Sequence, residues 1–210
     1  MSIRLLTWSL AIFVLASSAG CDSTDPEPFR NPPDAIYVAN QASATVSIID
    51  PDSNAVVQTV DLVEKGFSEN AKPHHIVVEP DGSAWYVSLI GDDAVVKLNA
   101  RNRVVGQVAF PAPGMLSLHP TADRLYAGHT LSIPGVPSTV AVIRRSDMSS
   151  VEEVGGVDIS VPLDRPHGIK VSPTGEYAYS SSLTTNQIVA INAETNQVSS
   201  PAVFSGPTQR

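Results

Sequence analysis

Only one cysteine, Cys21, occurs in 210 residues, so no intramolecular disulfide supports the fold. Basic residues are scarce as well: 13 Lys and Arg stand against 21 acidic residues, for a formal net charge of −8. That is the wrong sign for wrapping a phosphate backbone and excludes nucleic acid as a partner. Charged residues make up 16% and aromatics 6%, while proline occurs 17 times. Few charges and many prolines argue against long helices or coiled coils and for short strands joined by turns. The N-terminal apolar run, Leu5 to Ala16, has twelve residues, short of the ~20 that a bilayer-spanning helix needs. What is abundant is hydrophobic content, 42%, which rules out a disordered chain and predicts a packed all-β core.

The N-terminus reads as an export signal over residues 1–20. Arg4 supplies the positive charge, Leu5 to Ala16 the apolar stretch, and Ser17-Ser18-Ala19-Gly20 the small-residue end. Ala19-Gly20-Cys21 resembles the end of a bacterial lipobox, with Ser18 where Leu is usual; the resemblance implies cleavage before Cys21 and lipidation of its thiol. The alternative is an ordinary signal peptide with a chance cysteine. Residues 21–34 are acidic and proline-rich with little to bury, as expected of an extended tether. Together these features predict a chain exported to the bacterial cell envelope, lipid-anchored, and facing the periplasm or the cell surface.

From residue 35 to residue 210 the chain repeats. Pro73-His74-His75-Ile76-Val77-Val78-Glu79-Pro80, Pro113-Gly114-Met115-Leu116-Ser117-Leu118-His119-Pro120 and Pro166-His167-Gly168-Ile169-Lys170-Val171-Ser172-Pro173 superpose without gaps. Apolar residues alternate between two prolines, which predicts a short strand closed by a tight turn. A tyrosine follows thirteen residues after each first proline, at Tyr86, Tyr126 and Tyr179, and Tyr37 holds the same place in an incomplete first copy. Further strands follow each tyrosine, separated by turns at Asp50, Asn99, Arg144 and Asn192. The unit is four antiparallel strands, and the tyrosine spacings of 49, 40 and 53 residues match the ~40 to 50 residues of a propeller blade. A single blade cannot bury both faces, so the copies must stack radially.

Tyr37-Val38-Ala39-Asn40, followed by Thr45-Val46-Ser47-Ile48-Ile49-Asp50 and Val56-Val57, resembles the YVTN-type β-propeller repeat, with Ala39 in place of Thr. Tyr86-Val87-Ser88-Leu89, Tyr126-Ala127-Gly128-His129 and Tyr179-Ser180-Ser181-Ser182 are more degenerate copies. The resemblance implies a ring that is commonly seven-bladed, in a family of surface-layer and periplasmic proteins, lactonase-like enzymes and propeller domains of redox enzymes. About four blades are countable here, and Gly206-Pro207 restarts the proline segment just before Arg210. The expectation is a truncated part of a seven-bladed ring; the rival is a complete protein that is open or closed by oligomerisation.

Candidate sites follow from the repeat frame. Asp50-Pro51-Asp52-Ser53-Asn54 mimics the start of a calcium loop, but Ala55 stands where Gly is needed and Asp61 replaces the bidentate Glu, so hairpin-turn chemistry explains it better. His74, His75 and His167 are expected just before innermost strands and His129 at the end of a second strand. All four are expected toward one face of the disc, with His74 and His167 near the central channel. Imidazoles gathered there are the donors that bind a metal or an anion. Against this, equivalent positions in separate blades are expected more than ~10 Å apart, too far for one metal whose nitrogen ligands sit at ~2 Å, and Gly114 interrupts the series. His119 is expected on the opposite, solvated side. No catalytic residue is assigned: there is no Gly-x-Ser-x-Gly elbow, His-Glu-x-x-His, Cys-x-x-Cys-His or phosphate loop, and no cofactor is expected beyond a metal at the histidines. Two functions stay open. One is a membrane-tethered binding or scaffold module presenting its loop face to a protein, peptide or glycan. The other is the propeller portion of a periplasmic enzyme, lactonase-like or linked to a haem or copper redox centre, with channel-facing histidines.

Overall fold

The computed structural model describes residues 29–131, 138–148 and 158–205; the expected signal segment, the lipidation site Cys21 and the Gly206-Pro207 restart lie outside them. The described chain forms fifteen strands and one short 3₁₀ turn, with no α-helix among the described residues. Blade 1 contains β1 (Ile36–Asn40), β2 (Thr45–Asp50) and β3 (Ala55–Asp61). Blade 2 contains β4 (Pro73–Val78), β5 (Ala84–Leu89), β6 (Ala94–Asn99) and β7 (Val104–Ala109). Blade 3 contains β8 (Pro113–Leu118), β9 (Arg124–His129), β10 (Thr139–Arg144) and β11 (Asp158–Ser160), and blade 4 contains β12 (Pro166–Val171), β13 (Tyr177–Ser182), β14 (Gln187–Asn192) and β15 (Ala202–Val203). Within each blade consecutive strands pair antiparallel in sequence order. Blade 1 has three strands and begins on its tyrosine strand, as the frame predicts.

The blades pack face to face, with β4 against β8 and β8 against β12 along the inner rim. The result is an open arc of a β-propeller. Three cores fill the gaps between successive blades. Val46, Ile48, Val60 and Leu62 of blade 1 meet Trp85, Val87, Leu89 and Leu98 of blade 2. On the other side of blade 2, Tyr86 and Val95 meet Leu116, Leu125 and Ile143. Tyr126, Val140 and Val142 then meet Ile169, Ala178, Val189 and Ile191. Successive side chains of a strand point to opposite faces, so β5 feeds two cores at once, and each large apolar side chain removed from water contributes about 1.5–3 kcal/mol.

Polar contacts bind the same seams. Arg145, in the turn after β10, places Nη1 2.7 Å from Glu79 Oε2 of blade 2 and donates Nη2 to the Ala122 carbonyl at 2.6 Å. Tyr86 donates its hydroxyl to Glu79 Oε1 at 2.7 Å; burial first, then that hydrogen bond and the carboxylate's charge, push the phenol pKa up. At the outer end of blade 2, Trp85 Nε1 donates to Asn102 Oδ1 at 3.1 Å. Asn102 in turn donates to Asn31 Oδ1 at 2.8 Å, and the Asn31 backbone N–H donates to the Ala100 carbonyl at 2.9 Å. Asn31 is buried, so the proline-rich segment expected to be solvated is anchored on blade 2 at its described end.

The turns explain the failed calcium resemblance. Asp50 Oδ1 accepts the Asp52 N–H at 3.0 Å, Asn99 Oδ1 accepts Arg101 at 2.9 Å, and Asn192 Oδ1 accepts Glu194 at 3.0 Å. The carboxylate of Asp50 therefore closes its own turn as the two asparagines close theirs.

Candidate histidine site at the channel mouth

Each innermost strand begins in the same unusual way. The residue before its proline is left-handed: φ is 50° at Lys72, 43° at Ala112 and 49° at Arg165. Proline disfavours helical backbone in the residue before it, and here that residue's carbonyl is tied across the blade, Lys72 to the Ile90 N–H, Ala112 to Thr130 and Arg165 to Leu183. The register with the neighbouring strand then shifts between Pro73 and Ile76, Pro113 and Leu116, and Pro166 and Gly168. A bulge re-aims the side chains it contains. In blades 2 and 4 the bulge carries His74 and His167.

Those two rings meet. His74 Nε2 lies 3.4 Å from His167 Nε2, with ring centroids 5.6 Å apart and planes at 64°. The separation expected between blades is thus overturned. Strand spacing along the chain is fixed by the repeat, but the curvature of the arc and the bulges bring the edges of blades 2 and 4 together across blade 3. Gly114 holds the corresponding position in blade 3 and contributes no imidazole to the pair. A Cβ there would fall 1.6 Å from Thr130 Oγ1, so only glycine fits. Both histidines are half-buried. Burial first, and the neighbouring His167 second, lower the pKa of His74.

His75 faces the adjoining part of the rim and is held by backbone. Its N–H donates to Ser88 Oγ at 3.0 Å, and its Nδ1 accepts the Leu116 N–H of blade 3 at 3.1 Å. That acceptor role fixes the Nε2–H tautomer. Burial, followed by the charges of His74, His167 and Lys170, lowers its pKa to about 4. Beyond it a groove of about 390 Å³ runs along the innermost strands, lined by His75, Val77, Met115, Ser117, Ile169 and Lys170 among others.

His129 does not join them. It is buried against Phe110, ring centroids 5.8 Å apart. No group of three or more metal-binding side chains occurs among the described residues. His119 lies in the turn after β8, on the opposite side as expected, but it is not solvated: it is 8% exposed, accepts the Ala122 N–H on Nδ1 at 2.8 Å, and places Nε2 2.9 Å from the Gly175 carbonyl of blade 4. It is an inter-blade clamp. Gly175, at φ 77°, makes room for it, since a Cβ there would fall 2.4 Å from His119 Cε1. The contact missed entirely from sequence is Gln41, in the turn after β1, whose amide lies 3.4 Å from His74 Nδ1. Its signal was positional: it follows the second-strand slot of the repeat, at the loop face.

No family model matches the chain, and no curated protein matches it in sequence. Solved structures do. The chain is a β-propeller segment in fold. Hydrazine synthase from Kuenenia stuttgartiensis superposes with a TM-score of 0.66 at 17% identity, over 90% of this chain and 53% of the other. Virginiamycin B lyase from Staphylococcus aureus gives 0.64 at 12% identity, over 82% and 53%. A putative 6-phosphogluconolactonase from Bacteroides uniformis gives 0.62 at 14%, over 82% and 52%. At these identities the likeness establishes the fold alone. The chain spans about half the length of the structures it matches.

Proposed function

We propose that the chain is an exported β-propeller of the YVTN-repeat type, tethered to a membrane through a lipid on Cys21, that works as a binding module. Its binding surface is the channel mouth carrying His74, His75 and His167, and its partner is a protein, peptide or glycan. The supporting observation is the meeting of His74 and His167 from two non-adjacent blades at one end of the channel, 3.4 Å apart. Adjacent-blade packing requires no such contact, and side chains from several blades converging on a channel mouth are how a repeat fold assembles a site. The acidic, proline-rich stretch after Cys21 supplies the spacer that holds the arc off the bilayer.

The test compares native protein with two double variants on peptide and glycan arrays. His74→Ala/His167→Ala alters the proposed face; Asp81→Ala/Thr174→Ala alters turns at the opposite end of the innermost strands. Binding that is lost in the first and kept in the second is expected. Binding unaffected by the first overturns the assignment of the face. Separately, Cys21→Ser is expected to move the protein from the membrane fraction to the soluble one; retention in the membrane contradicts the tether.

A further inference from the structure

We infer that His74 and His167 form a two-nitrogen site for a divalent transition-metal ion of the zinc class, with Gln41 setting the orientation of His74. This rests on the channel mouth being a binding face and names what it binds first. The donor type fits, since neutral imidazole is a common ligand for such ions. So does the spacing. Zinc–nitrogen bonds of ~2.0–2.1 Å in tetrahedral geometry separate two ligand nitrogens by about 3.3 Å, and the two Nε2 atoms stand at 3.4 Å. Hydrogen bonds from N–H groups cluster near ~2.9–3.0 Å, so the two ring edges are positioned by their blades rather than drawn together by a short mutual hydrogen bond.

The surroundings exclude the two other histidines predicted at this face. His75 spends its Nδ1 lone pair on the Leu116 N–H and carries the proton on Nε2, so neither nitrogen is free to ligate. His129 is buried in the seam against Phe110. On His74, Nδ1 faces the Gln41 amide nitrogen Nε2 at 3.4 Å; a 180° turn of that amide presents Oε1 instead, so that Nδ1–H donates and the His74 Nε2 is left as the ligand. A hydrogen bond to the far nitrogen is the usual way a metal-bound imidazole is held, and its loss costs ~10–100-fold in metal affinity. Two protein ligands on half-exposed side chains leave the remaining coordination positions open. A carboxylate or carbonyl oxygen of the bound partner, or water, completes the set.

The experiment titrates metal-stripped full-length protein with zinc by calorimetry and with cobalt by visible absorption. One ion per chain is expected. His74→Ala and His167→Ala should each weaken binding at least tenfold, and Gln41→Leu about tenfold, whereas Gln41→Glu, which preserves an acceptor for Nδ1–H, restores it. Asp81→Ala, in the exposed turn at the opposite end of β4, should leave the affinity unchanged. Thermal melts confirm folding, and His74→Asn and His167→Asn replace any alanine variant that melts early. No stoichiometric binding, or binding indifferent to both histidines, overturns the site. Array binding that depends on this face, together with no stoichiometric uptake of zinc or cobalt, overturns the metal alone. Zinc bound at His74 and His167 with array binding indifferent to the face overturns the binding-face reading and leaves the metal standing.

Discussion

Strands β5 and β13 hold the same slot of the repeat, one in blade 2 and one in blade 4. Every residue of β5, Ala84 to Leu89, is buried, whereas in β13 only Ala178, Ser180 and Ser182 are, and Tyr179 remains 40% exposed. Where both faces are covered, β5 places Trp85, Val87 and Leu89 on one side and Tyr86 on the other; where one face is covered, β13 buries alanine and serines against blade 3 and turns two tyrosines outward. Within the described arc blade 2 is packed on both faces and blade 4 on one, and the burial of the matching strand differs accordingly.

The largest effect that would break this contrast comes from the aromatics. Trp85→Ala empties a fully buried site and loses the hydrogen bond to Asn102; a loss of about 3–5 kcal/mol is expected in denaturant unfolding. Tyr179→Ala, in the matching slot region of blade 4, is expected to cost less than about 1 kcal/mol. Equal losses would show that the two blades are not differently covered.

Next comes the clamp between blades 2 and 3. Glu79→Gln removes the charge that pairs with Arg145 at 2.7 Å and accepts from Tyr86. Both partners are largely buried, and hydrogen bonds to charged groups contribute about 1.5–3 kcal/mol, so a destabilisation of that order is expected in the same unfolding assay. A neutral result would mean that this seam is held by apolar packing alone.

The smallest effect is a pH dependence. His75 has its pKa lowered to about 4 by burial first, against about 6.5 when unfolded. Between these values the unfolded chain binds the extra proton, so this contribution to stability is complete above pH 6.5 and is lost as pH falls toward 4. His75→Gln, whose side-chain oxygen accepts the Leu116 N–H, should flatten that part of the stability profile. An unchanged slope between pH 6.5 and 4 would assign it to other groups.

The strands were legible because the signals are local. Alternation between paired prolines gives β4, β8 and β12, and the tyrosines mark β5, β9 and β13, down to the turn residues Asp50, Asn99, Arg144 and Asn192. The histidine pair was legible only in part. Repeat position told which end of the blade His74 and His167 occupy, but not how far apart, because that depends on arc curvature and on bulges following left-handed Lys72, Ala112 and Arg165, none of which is a sequence pattern. The burial of His119 was missed for a similar reason. Its turn looked solvated, and the partner that buries it is Gly175, 56 residues away in the next blade, recognisable only once the missing Cβ is set against the ring.

The meeting of His74 and His167 across blade 3 is the centre of the account, and nuclear magnetic resonance of labelled imidazoles tests it most directly. In native protein the His74 ring should titrate below pH 6.5, and in His167→Ala its pKa should rise part of the way back, because burial persists while the neighbouring positive charge is removed. An His74 pKa that does not move when His167 is removed would contradict the meeting of the two rings.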